Sequence, residues 1–362
     1  MIPLRWRLHA GAIAVLTLAL CSAPAIAEDA PKKAATPLNP LLETCLRPAD
    51  AQTVILACTT AIESRQLQGE SLAAALYNRG RALGARGQIP AAVNDFSSAL
   101  KLVPDATNFL YGRAAAYGMM RRHDLAIADY DALLKLDPKD FDARYQRAWS
   151  LAALGRDEPA VADLTALLEV VKDDIDALMD RGGLYLRLGQ FDKAAADFSA
   201  IIKLDPKAAA AFYNRGRARF LGGDFKAATK DFAQAQALRA DNPYAALRRY
   251  LANGQGVGDG KSKINPEILT EAMAKFAPEQ WPLPVLATLA GKLPEKDLLS
   301  AAAIADKGVA RRLDAETHYY LGEAALLKKD TKAARAHFAA AAKGDRGTPE
   351  VVDAGWRLKG LP

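Results

Sequence analysis

The chain has 362 residues, of which 51% are hydrophobic and only 7% are aromatic. It carries 48 basic and 42 acidic residues, and its formal net charge of +6 is too small to indicate a nucleic-acid-binding surface. The length allows a large buried core, and an apolar composition built mostly from alanine and leucine favours helix.

Residues 1–27 have the features of a secretory signal peptide. Two arginines precede an apolar run of about a dozen residues, and the triplet Ala25-Ile26-Ala27 supplies a cleavage site of small residues. The run is shorter than the roughly 20 residues that a membrane span needs. We therefore expect a periplasmic protein with no membrane span after cleavage. Lipidation at Cys21 is the alternative, although Leu20 before it fits a lipoprotein signal poorly.

A flexible linker is expected at 28–40, followed at 41–72 by a helical hairpin that forms an N-terminal cap. Removal of the leader leaves two cysteines, Cys45 and Cys58. Two thiols in an oxidising compartment usually pair, and a bond across thirteen residues would clip this hairpin across its turn. The alternative is two unpaired cysteines that pack as small apolar residues.

The hexapeptide YNRGRA occurs at 77–82 and again at 213–218, a separation of four times 34 residues. A period of 34 is typical of helix-turn-helix repeats, and the frame predicts five units over 73–242. Position 8 is small in every unit, position 20 is alanine, and position 24 is bulky in most units. The position 24 residues are Phe96, Tyr130, Leu164, Phe198 and Phe232. The i, i+4, i+7 spacing predicts two antiparallel helices per unit.

Prolines in the breaks KLVPD, KLDPKD and KLDPKA complete the pattern. Together these residues resemble the tetratricopeptide repeat (TPR), which implies an all-α fold: a TPR α-solenoid, a right-handed superhelix of helix-turn-helix repeats with helical caps. The period fails over 243–314, where an irregular helical segment is expected. It returns at 315–345 as a sixth unit, and 346–362 is expected to form a C-terminal capping helix.

The segments NPYAALRRYLA, EQWPLPVLATLAGKLPEKDLL and ETHYYLGEAALLKKDTKAARAHF follow one another after the array. Their order and character resemble NlpI-type periplasmic adaptors, which are TPR lipoproteins. The resemblance implies homodimerisation and a scaffold at the cell envelope that recruits proteases or peptidoglycan hydrolases. Protein partners, and no nucleic acid, are therefore expected.

Position 5 of the first helices, which lines the concave groove in TPR proteins, is tyrosine in five of the six units. Tyrosines offer rigid amphipathic area to a peptide, although they can instead pack within the superhelix. Position 9 is nowhere asparagine, which disfavours recognition of a terminal carboxylate. The expected groove residues, from positions 5, 9 and 2, are Tyr77, Arg81, Asn108, Tyr111, Asp142, Tyr145, Trp149, Met179, Tyr213, Arg217 and Tyr319.

Position 7 is arginine and position 23 is aspartate in five consecutive units. Because both positions border the apolar stripes of facing helices, we expect a ladder of partly buried structural ion pairs. The alternative is that the arginines bind a ligand. The expected pairs are Arg79 with Asp95, Arg113 with Asp129, Arg147 with Asp163, Arg181 with Asp197, and Arg215 with Asp231.

The sequence offers little for catalysis, and we expect neither an enzyme nor a cofactor. The stretch GQGVGDGKS at 254–262 misses the P-loop spacing by one residue, yet a nucleotide-dependent regulator or enzyme using this loop is one alternative. A purely structural oligomeric envelope protein is another. His318 and His337 can meet across the sixth hairpin, but too few histidines and cysteines are present to predict a metal site.

Overall fold

The computed structural model describes residues 39–47, 49–239, 242–256, 265–275, 281–304, 307–345 and 347–361. The predicted leader, including Cys21, lies outside these residues. Every regular element among the described residues is an α-helix, which confirms the predicted all-α class. The chain divides into two compact units, unit 1 over 1–156 and unit 2 over 157–362.

Unit 1 contains the predicted N-terminal hairpin followed by helices that keep the 34-residue register. Within it, α3 packs against α4 and α5 packs against α6. The first helices of successive repeats, α3, α5 and α7, also contact one another. The helices are α1 (Pro40–Leu46), α2 (Ala51–Glu63), α3 (Gly69–Ala85), α4 (Ile89–Leu102), α5 (Thr107–Met119), α6 (His123–Leu136) and α7 (Phe141–Ala153).

Unit 2 continues the array, passes through short helices in the predicted irregular segment, and returns to a hairpin. The helices are α8 (Asp157–Val170), α9 (Ile175–Arg187), α10 (Phe191–Leu204), α11 (Ala209–Leu221), α12 (Phe225–Leu238), α13 (Pro243–Gln255), α14 (Glu267–Met273), α15 (Leu283–Leu289), α16 (Glu295–Ile304), α17 (Lys307–Leu327), α18 (Thr331–Ala341) and α19 (Pro349–Gly360). The helix of the sixth unit, α17, begins eight residues before the expected start at 315.

Close contact between a glycine and a phenylalanine ring holds together the hairpins that have glycine at position 8. A Cβ added to Gly182 would lie 2.7 Å from the ring of Phe198, and one added to Gly322 would lie 2.7 Å from Phe338. Both rings are fully buried. Glycine at position 8 therefore lets the ring at position 24 rest directly on the backbone of the facing helix, which is the dense packing that a folded core requires.

The turns inside the hairpins also depend on particular residues. Gly87 and Gly189 have φ values of 75° and 72°, a left-handed conformation that glycine adopts without steric cost. At helix starts, the carboxylates of Asp140 and Asp174 accept the backbone N–H groups of Ala143 and Ala177. These caps satisfy donors that would otherwise have no partner.

The N-terminal hairpin is covalently closed. Cys45 on α1 and Cys58 on α2 form a disulfide, and both are fully buried. Leu42, Ala61 and Leu67 pack around them in a small apolar cluster. In addition, the side chain of Asn78 donates to the carbonyl oxygen of Cys45 at 2.6 Å, so the hairpin is attached to α3 by a polar contact.

Candidate protein-binding face

Unit 1 places three of the predicted groove tyrosines in register, one on each first helix. Tyr77 lies on α3, Tyr111 on α5 and Tyr145 on α7, and all three are half-buried. The ring of Tyr77 lies 4.8 Å from that of Phe109, and Tyr111 meets Tyr130 edge-on at 5.8 Å. Tyr77 and Tyr111 thus pack within the array, and all three tyrosines stay partly exposed. We call the surface formed by these three tyrosines the unit 1 face.

Charged and aromatic side chains border the unit 1 face. The Arg81 guanidinium lies over the Tyr77 ring at 5.7 Å. Burial raises the pKa of Tyr77, and the positive charge of Arg81 opposes that rise. Trp149 is 51% exposed, although its ring also contacts His123 at 5.1 Å. An exposed tryptophan beside half-buried tyrosines is the kind of amphipathic area that binding surfaces use.

The two short polar groove residues predicted in unit 1, Asn108 and Asp142, are exposed. Both lie near the start of a first helix, Asn108 on α5 and Asp142 on α7. They add hydrogen-bonding groups to one end of the unit 1 face.

The predicted groove residues of unit 2 are in a different environment, and the expectation of an open groove there needs correction. Tyr319 is fully buried and Arg217 is 8% exposed. Arg217 donates to Asp353 of α19 at 2.8 Å. Tyr213 is half-buried beneath the Arg248 guanidinium, and Met179 accepts a weak hydrogen bond from Asn214 at 3.5 Å. The predicted capping helix α19, which packs on α17 and α18, also reaches α11 and covers this face.

The ion-pair ladder has a common geometry in four of the five expected repeats. In each, the arginine Nε and Nη2 donate to the two carboxylate oxygens of the aspartate, at 2.7 to 2.9 Å. Hydrogen bonds to the aspartate raise the pKa of Arg79, Arg113 and Arg181. The structure therefore places these arginines in bidentate, partly buried pairs, with the planar matching that guanidinium and carboxylate favour.

Sequence reasoning missed a second partner of each ladder arginine. The Nη1 atom of Arg113 donates to Ser97 at 3.3 Å, and that of Arg215 donates to Ser199 at 3.1 Å. Both hydroxyls lie sixteen residues before the arginine, at position 25 of the preceding repeat. Arg181 and Thr165 have the same relation at 3.2 Å. A polar residue recurring at position 25 was the available signal, and it links one repeat to the next.

The remaining ladder arginine, Arg147, has a different kind of partner at position 25 of the preceding repeat. Arg147 donates to Asp131 at 2.6 Å, and this aspartate occupies the place of the serine or threonine elsewhere. Asp163, the expected partner of Arg147, is 4% exposed. The two residues belong to different units, so their pairing stays a prediction.

The candidates for other chemistry are few. His318 and His337 do meet across the sixth hairpin, with their Nδ1 atoms 3.0 Å apart. The described residues contain no group of three or more His, Cys, Asp or Glu side chains suited to a metal ion. Gly254 and Gln255 end α13, and residues 257–262 of the glycine-rich stretch lie outside the described residues.

Comparison with known proteins agrees with the paired helices of the 34-residue repeats. A family model described as tetratricopeptide repeat matches residues 77–118, 116–176 and 179–245. The chain contains tetratricopeptide repeats. No curated protein matches it.

Two solved TPR proteins share the fold at low identity. The C-terminal part of a TPR repeat-containing protein from Cytophaga hutchinsonii is 15% identical, with a TM-score of 0.51 over 77% of this chain and 98% of that chain. A tetratricopeptide repeat protein from Parabacteroides merdae is 16% identical, with a TM-score of 0.51 over 78% of this chain and 96% of that chain. Across the part of the chain that the structure describes, no helix combines the length and apolar character needed to cross a membrane.

Proposed function

We propose that this protein is a non-enzymatic scaffold that binds segments of partner proteins on the unit 1 face. The observation that carries the proposal is the row of half-buried tyrosines, Tyr77, Tyr111 and Tyr145, next to the half-exposed Trp149. Rigid aromatic side chains gain contact area on binding while losing little conformational entropy. TPR arrays present such surfaces to partners because each repeat contacts only its neighbours and leaves one face open.

The proposed site of action is the periplasm. Two independent features support it: the predicted cleavable leader at 1–27, and the disulfide between Cys45 and Cys58, since structural disulfides persist in oxidising compartments. The resemblance to NlpI-type adaptors favours envelope proteases or peptidoglycan hydrolases as clients, and a homodimer as the assembled form. Light scattering of the mature protein tests the homodimer directly.

Site-specific photo-crosslinking in cells tests the face. A crosslinking amino acid at Trp149 should give discrete adducts, whereas the same group at Leu56, which is 60% exposed on α2, should not give those adducts. Combining the Trp149 probe with Tyr111→Ala and Tyr145→Ala should remove the adducts while circular dichroism shows the helices intact. The proposal is wrong if the adducts persist in the tyrosine variant or if the Leu56 probe captures the same proteins.

A further inference from the structure

The helix α19 lies on the first-helix side of unit 2 in the way that a bound peptide lies on a receptor. Asp353, fully buried, accepts hydrogen bonds from Arg217 at 2.8 Å and is 2.9 Å from a guanidinium nitrogen of Arg248. Burial opposes ionisation of this carboxyl, but the two arginines outweigh it and lower its pKa. A buried carboxylate held between two arginines is a specific point of recognition.

A second carboxylate of α19 lies one turn earlier on the same side. Glu350 accepts a hydrogen bond from Nη2 of Arg248 at 2.7 Å and from the hydroxyl of Tyr320 at 3.2 Å. Arg248 is only 2% exposed, and it also lies over the ring of Tyr319 at 5.2 Å. Unit 2 thus offers Arg217 and Arg248, of which Arg248 is surrounded by tyrosines, and α19 supplies the matching pair of carboxylates.

An aromatic side chain holds the C-terminal half of α19 in place. The indole N–H of Trp356 donates to the carbonyl oxygen of Leu186 at 3.1 Å. Its ring lies against Gly189, where an added Cβ would approach to 2.5 Å, and meets Phe191 edge-on at 5.8 Å. The next residue, Arg357, donates to both oxygens of Glu323 at 2.6 Å.

The contacts of α19 differ in character from those of α18, although Ala354 joins the same core cluster as Phe338. The fully inward apolar residues of α19 are small, Val351 and Ala354, and most of its directional contacts are charged. By comparison, α18 inserts Phe338 between two alanines into the main core. When α19 leaves as a whole, the arginines and carboxylates on both sides regain water, so no charge is stranded in an apolar interior.

We propose that the surface of unit 2 covered by α19 is a docking site for an amphipathic helix that carries two carboxylates one turn apart followed by an aromatic residue. The helix α19 fills this site in cis, and a partner helix with the same features binds there by displacing it. The charge complementarity of Arg217 and Arg248 and the occupant already seated on the surface both specify that partner. This site is separate from the unit 1 face, so either proposal can fail alone.

Competition with a tethered helix has a measurable consequence. A peptide that needs the open state binds with an apparent Kd raised by the fraction of molecules in which the site is free. Because α19 is attached to the same chain, its effective concentration at the site is high. Weakening α19 in the full chain should therefore strengthen capture of a peptide added in trans.

The test uses the full mature chain and a fluorescein-labelled peptide of residues 347–361, followed by fluorescence anisotropy. The full-chain variant Glu350→Gln with Asp353→Asn should bind the peptide at least tenfold more tightly than the wild type. A control chain with the same charge change at exposed positions, Glu271→Gln with Asp297→Asn, should behave as the wild type. A peptide carrying the two substitutions of the tested variant should bind that variant at least tenfold more weakly than the wild-type peptide.

Equal affinities of the folded variant and the wild type would overturn the proposal, as would failure of the folded variant to bind the peptide. Hydrogen exchange of the wild-type chain provides an independent result if the variant does not fold. The amides of α19 should exchange through an opening that leaves α17 and α18 protected. If α19 exchanges only together with those two helices, it is a core element and the proposal is wrong.

Discussion

The ion-pair ladder can be tested within a single helix, because α6 carries one buried and one exposed aspartate two residues apart. Asp129 accepts from Arg113 at 2.8 and 2.7 Å, and its side chain is 9% exposed. Asp131 accepts from Arg147 at 2.6 Å, but its side chain is 47% exposed. The substitutions Asp129→Asn and Asp131→Asn remove the same charge from the same helix and differ mainly in burial.

The structure sets the expected size of each effect. Breaking a fully buried pair costs about 3 to 5 kcal/mol. Because the Arg113 side chain is 23% exposed and Asn keeps one acceptor, we expect Asp129→Asn to cost about 2 to 3 kcal/mol. The exposed pair is screened by water, so Asp131→Asn should cost less than about 1 kcal/mol.

Urea denaturation followed by circular dichroism at 222 nm measures the difference. With a slope of about 1 to 3 kcal/mol per molar urea, Asp129→Asn should lower the midpoint by about 1 M, and Asp131→Asn by a small part of that. Since repeat arrays can unfold in parts, hydrogen exchange of α5 and α6 should show the loss locally. Equal midpoint shifts for the two variants would refute the claim that burial of the pair determines its contribution.

Two further predictions concern packing and protonation. Gly182→Ala should destabilise the fold by about 1 to 3 kcal/mol because the new methyl group would overlap the buried Phe198 ring. As a control, Gly183→Ala places its methyl group where no atom lies within 4 Å, so it should be neutral or stabilise the fold by up to about 1 kcal/mol. Urea midpoints that fall equally for the two variants would contradict this packing. Burial, with a contribution from His318, lowers the pKa of His337 below its usual 6.5, against the opposing effect of a nearby glutamate. As the pH falls, the unfolded chain therefore binds a proton at His337 before the folded chain does, and the free energy of unfolding should fall as pH drops below 6.5. His337→Gln should reduce that fall when unfolding is measured at pH 7.5 and 5.5; an unchanged pH dependence would show that this histidine does not contribute.

Local pattern was enough to predict the hairpins, because a helix pair is specified by residues within one repeat. Gly182 and Phe198 lie sixteen residues apart, and the same pairing of a small residue at position 8 with a large one at position 24 recurs along the sequence. The bidentate pairs follow from the same register. The second partner of each arginine was missed because it belongs to the preceding repeat and changes identity, from Ser97 to Asp131, while keeping its place.

The sequence by itself determined that this chain forms paired helices with a 34-residue period, since helix register and the fit of small against large side chains are set over a few turns. Only the tertiary structure decided which part of the tyrosine-lined surface stays open. The contact of Arg217 with Asp353 joins residues 136 positions apart, and it depends on where α19 comes to lie after the irregular segment. No periodic pattern encodes that path, because it results from the summed packing of helices that do not repeat.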